Sequence, residues 1–127
     1  MPGIDDCLTE AMGVPGALGA SLVDWTSGLA LGTAGEGPGD DHETGAADAT
    51  ELARAVTQST SFADPTSGTA PAEDLILSSA GAYHLVRFLD TDFDSNLILY
   101  LRLDRERSNL AMARLRLASI AEQLVID

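Results

Sequence analysis

Lysine is absent from this 127-residue sequence: its seven basic residues are all arginine, set against 20 acids, for a net charge of -13. The first half lacks base altogether, because residues 1 to 53 hold ten acids and every arginine lies at or after Arg54. A field of this sign repels phosphate backbones and anionic lipid. Nucleic acid and membrane surfaces are therefore disfavoured as partners, and a basic protein surface is favoured. Cysteine occurs once, as Cys7, so no internal disulfide framework is possible. No apolar run approaches the roughly 18 residues of a membrane span. The opening Met-Pro-Gly-Ile-Asp-Asp carries acids where a secretory leader would carry base. The expectation is a cytoplasmic protein.

What is present is ordinary for a globular chain. Apolar residues make up 45%, and the length suits one domain spanning 1–127. Arginine-only, alanine- and glycine-rich usage fits a genome rich in G and C.

Ile4, Cys7, Leu8, Ala11 and Met12 fall at helical spacing, and Gly13 with Pro15 ends that helix. In "ALGASLVDWTSGLALGT" two apolar runs flank Asp24-Trp25-Thr26-Ser27-Gly28, which reads as a hairpin with a tryptophan at its tip. Residues 33–47 are rich in Gly, Pro and acid and read as a mobile acidic loop. Asp48 followed by Glu51 resembles a capping box opening a helix to about Ser59. "EDLILSS", "AYHLVRFL" and "NLILYLRL" read as three strands of an antiparallel meander. From Asp104 onward a helix of about 20 residues carries Leu110, Ala113, Leu117, Ile120, Ala121 and Leu124 as one stripe. The order α-β-β-α-β-β-β-α predicts an α+β fold: a five-stranded antiparallel sheet with helices on both faces.

Candidate chemistry is sparse. "GTAGEGPG" at 32–39 lacks the lysine of a phosphate-binding loop and is surrounded by Glu36, Asp40 and Asp41. Asp90, Asp92 and Asp94 occupy alternate positions of a calcium-type loop, but Ser95 and Leu101 replace its glycine and bidentate glutamate. His42 lies among acids without fixed geometry, and His84 lies in a strand. Ser78-Ser79-Ala80-Gly81 is not a nucleophile elbow. Cys7 falls on the apolar face of its helix. The reading is no enzyme, with no catalytic, cofactor or metal site. Leu52, Ala53, Val56 and Ser59 on the second helix, with Leu75 and Leu77, fit either burial against the chain's own sheet or a self-complementary two-fold interface. His84, Tyr83, Arg87 and Tyr100 would line a pocket if the domain were instead a small-ligand sensor.

Two stretches carry a family resemblance. "PGALGASLVDWTSGLALG" resembles the first hairpin of the roadblock (dynein light-chain roadblock) superfamily, with its Asp-x-x-x-Gly-Leu turn. "RSNLAMARLRLA" resembles the opening of its last helix, where Asn109, Leu110 and Arg114 match. The resemblance spans about Ile4 to Val125. It implies a profilin-like domain that homodimerises through the second helix and third strand, with Leu52, Ala53, Val56, Ser59, Leu75 and Leu77 at the interface. It further implies a bacterial regulator or scaffold of small Ras-like GTPases and their sensor partners; in filamentous actinobacteria such proteins often accompany a GTPase. Trp25 would then be either a candidate anchor, since tryptophan is enriched in interface hot spots, or a ring folded back over the apolar end of the sheet. Arg105 and Arg107 lie nearest to where an arginine finger could project, and none is expected.

Overall fold

A computed structural model describes residues 3–62, 72–89 and 96–124. The elements are α1 (Ile4–Met12), β1 (Ala17–Asp24), β2 (Leu29–Gly35), α2 (His42–Gln58), β3 (Asp74–Ser78), β4 (Ala82–Phe88), β5 (Leu97–Asp104) and α3 (Leu110–Gln123). The predicted order of helices and strands is the observed one. The five strands form one antiparallel sheet in the order β2-β1-β5-β4-β3. β5 takes the centre, as its nearly continuous apolar run requires. β2 and β3 form the edges.

Strand alternation splits the interior into two cores. Leu22, Leu85, Leu99, Leu101 and Leu103 face α1 and α3, where Cys7, Leu8, Ala113, Leu117 and Ile120 meet them. Val23, Val86, Phe88, Ile98 and Tyr100 face α2, where Ala46, Ala49 and Ala53 meet them. The α2 side is the thinner core because alanine supplies little bulk. α2 lies over β1 and β2.

The hairpin tip is built by Asp24. Its carboxylate accepts from the Thr26 amide at 2.9 Å and the Thr26 hydroxyl at 2.6 Å. Gly28 closes the turn at φ +80, a conformation that favours glycine, and its N–H donates to the Asp24 carbonyl at 2.8 Å. Arg54 of α2 braces the tip, donating to the Thr26 carbonyl at 2.9 Å.

Two boundaries differ from expectation. Residues 33–47 are not one loop: β2 continues to Gly35, a short 3-10 turn covers Pro38–Asp40, and α2 begins at His42. The N-cap is Asp41, not Asp48; its side chain accepts from the amides of Glu43 and Thr44 and from the Thr44 hydroxyl. Glycine is tolerated in the first turns because the Pro38 ring lies where a Gly45 Cβ would stand. α3 begins at Leu110 instead of near Asp104. The Asp104 carboxylate binds the Glu106 amide at 3.0 Å and Arg107 Nε at 3.1 Å, which holds residues after β5 in a turn. Asn109 then caps α3, its Oδ1 accepting from the Met112 amide at 3.1 Å.

Candidate functional site: the face between the second helix and the third strand

Because β3 is an edge strand, its outer hydrogen-bonding side has no partner strand among the described residues. Leu77 on β3 is 52% exposed and Leu52 on α2 is 41% exposed. Between them lies a groove of about 190 Å³, lined chiefly by Asp48, Ala49, Leu52, Leu75, Leu77, Val86, His84 and Tyr100. The lining is apolar except for Asp48 at its rim and one polar pair on its floor. His84 Nδ1 and the Tyr100 hydroxyl are 2.7 Å apart, and their rings stack with centroids separated by 6.0 Å. Burial lowers the His84 pKa below its usual value, and the Arg102 charge adds to this. Burial pushes the Tyr100 phenol up to about 12. The pair is therefore neutral at physiological pH.

The predicted interface residues divide. Leu52, Leu75 and Leu77 all line the groove, and Val56 and Ser59 are half-buried further along α2. Ala53 is the exception, and a correction. It is fully buried against the chain's own sheet, one helical step away from the outward stripe, so it supports this face from beneath.

The predicted ligand-lining set also divides. His84 and Tyr100 reach the groove, but Tyr83 and Arg87 point through the opposite face, since side chains alternate along β4. Tyr83 lies under the Arg105 guanidinium, 5.2 Å from the ring centroid. Arg87 reaches Asp74 at 3.7 Å, and Asp74 also binds Arg114 of α3 at 2.6 Å. No single cavity collects all four residues.

Trp25 folds back onto the α2-side core and is half-buried, with its indole Nε1 buried and unpaired among the described residues. Any contact with a partner would use only the exposed remainder of the ring. His42 sits in the first turn of α2, with Nε2 3.0 Å from the Gly35 carbonyl. Cys7 is buried under α1, where burial first and Glu10 second push the thiol up to about 11. Arg105 donates to the Ser79 carbonyl at 2.9 Å, and Arg107 is held by Asp104. Asp90, Asp92 and Asp94 lie outside the described residues. Among the described residues no three His, Cys, Asp or Glu side chains cluster as metal ligands, and no helix is long and apolar enough to cross a membrane.

No protein-family model matches the sequence, and no curated protein matches it. Solved structures do match in shape. A Roadblock/LC7 domain from Streptomyces avermitilis superposes with a TM-score of 0.74 at 17% identity, covering 95% of this chain and 93% of that one. MglB from Myxococcus xanthus gives 0.69 at 18% identity, over 94% and 79% of the two chains. The gliding protein MglB from Thermus thermophilus gives 0.64 at 22% identity, over 94% and 89%. These identities carry the fold and nothing finer. The chain has the fold of the Roadblock/LC7 domain.

Proposed function

We propose that the protein is a homodimeric interaction module that binds a small Ras-like GTPase and regulates or scaffolds it. The observation that carries this reading is the α2–β3 face. Leu52 and Leu77 stand exposed beside an apolar groove and beside the β3 edge, which pairs with no further strand among the described residues. An edge strand flanked by exposed leucines is a template for pairing with another chain. A two-fold axis beside β3 would join two five-stranded sheets and cover both leucines at once. The roadblock fold and the resemblance of the first hairpin and last helix support the GTPase as partner, and the exposed part of Trp25 is the proposed contact for it.

The test is direct. The purified chain is titrated with small GTPases of its own organism, loaded with GDP or a non-hydrolysable GTP analogue. Binding that differs between the two nucleotide states supports the reading; no binding in either state sinks it. Any stimulation of hydrolysis should come from repositioning the GTPase's own groups, because Arg105 and Arg107 are both engaged within the chain. Arg105→Ala and Arg107→Ala should leave stimulated hydrolysis nearly unchanged. A hundredfold loss, the scale of an arginine finger, would contradict this.

A further inference from the structure

Phe62 is the most exposed large apolar side chain among the described residues, at 78%. Its backbone is held in a turn. The Ser59 hydroxyl accepts from the Phe62 amide at 2.9 Å and from the Ser61 amide at 3.2 Å, a compact turn just past the end of α2. A phenyl ring held out in water by a built turn lacks a counterpart within the described chain. Among the described residues nothing fills the α2–β3 groove.

We propose that Phe62 of one copy inserts into the α2–β3 groove of a second copy, and the second copy's Phe62 into the first. This rests on the homodimer reading above. The register follows from the sequence of α2. Leu52 and Ala55 are exposed on α2, Val56 is half-buried with part of its side chain on the α2-side core, and Ser59 caps the helix end, together a stripe at i, i+3, i+4, i+7 spacing. Joining the sheets at β3 sets the two-fold axis along the sheet normal, so both α2 helices lie on one side and run antiparallel. Self-pairing of the stripe about its midpoint then makes Leu52 exchange places with Ser59 and Ala55 with Val56. Antiparallel packing also brings the turn past the end of each α2, which carries Phe62, toward the first half of the other copy's α2. Gly45, Asp48, Ala49 and Leu52 are the α2 residues that line the groove. Its floor offers a ring a neutral aromatic surface in the stacked His84–Tyr100 pair, and its walls are Leu75, Leu77 and Val86. An aromatic anchor seated in a desolvated pocket near the centre of an interface is the usual form of a binding hot spot.

Two measurements on the full chain test this. Sedimentation equilibrium of Phe62→Ala should show self-association weakened by about 30-fold or more, the factor set by a hot-spot truncation, with the circular dichroism spectrum unchanged. Mixing Phe62→Cys protein with Asp48→Cys protein under mild oxidation should give a disulfide between the two different chains. Cys7 does not compete, because it is buried under α1 on the other face of the sheet. A wild-type chain that stays monomeric sinks the homodimer and this inference with it. A dimer that Phe62→Ala leaves within about twofold overturns the insertion alone. A weakened dimer without the mixed disulfide places Phe62 elsewhere and also overturns it, as does a small molecule retained in the groove in native mass spectrometry.

Discussion

His84 shows what one half-buried side chain does to the whole fold's response to acid. Its imidazole faces the Tyr100 hydroxyl, the Arg102 charge from β5 and Asp48 across the groove. Burial, then Arg102, hold its folded-state pKa below the ordinary 6.5. The unfolded chain therefore binds the proton more readily. The contribution of this group is intact above pH 6.5, declines as the pH falls through 6.5 toward the lower folded value, and levels off beneath it. Urea midpoints measured across this range should fall more steeply for the wild type than for His84→Gln; equal slopes would contradict the assignment. Trp25 is the second residue with a decisive substitution. Its ring covers the α2-side core, so Trp25→Ala should cost about 2–3 kcal/mol in denaturant unfolding, less than a fully buried tryptophan. If partner affinity then survives in the folded variant, the ring's role is packing and its anchor role fails.

Among the elements, β1 and β2 depend on a backbone approach that only glycine permits. A Cβ at Gly19 would land on the Glu36 carbonyl, where the chain leaves β2. Gly19→Ala should destabilise the fold by about 1–3 kcal/mol, the range for overpacking; a change within 0.5 kcal/mol, the ordinary surface range, would show that the hairpin exit can shift freely. The strands were legible in the sequence because their apolar runs are dense and turn residues bound them. α2 was legible only in its second half. Its opening turns, His42-Glu43-Thr44-Gly45, carry no apolar periodicity; they are helical because Asp41 caps them and Gly45 fits against Pro38. The Asp104 turn hid the start of α3 in the same way, since Asp104 ties up backbone that would otherwise extend the helix. At the site, Leu75 and Leu77 were legible from alternation. The same alternation already separated Tyr83 and Arg87 from His84, two residues of one parity against one of the other. Ala53 and Phe62 were not legible: facing on α2 depends on where the helix crosses the sheet, and the turn that presents Phe62 depends on the Ser59 hydroxyl.

At the scale of the molecule, charge and shape oppose each other. Two copies of net charge -13 repel, while the α2–β3 face that would join them is apolar. Added salt screens the repulsion and leaves the apolar contact intact. Self-association should therefore tighten as salt rises, and a dimer that weakens with salt would point to a polar interface elsewhere. The measurement closest to the central claim is the mass of the protein in solution, by sedimentation, for the wild type and for Leu77→Glu. The α2–β3 account predicts twice 13.2 kDa for the wild type and 13.2 kDa for a folded Leu77→Glu variant. A wild type that sediments at 13.2 kDa, or a Leu77→Glu variant that stays paired, would contradict it.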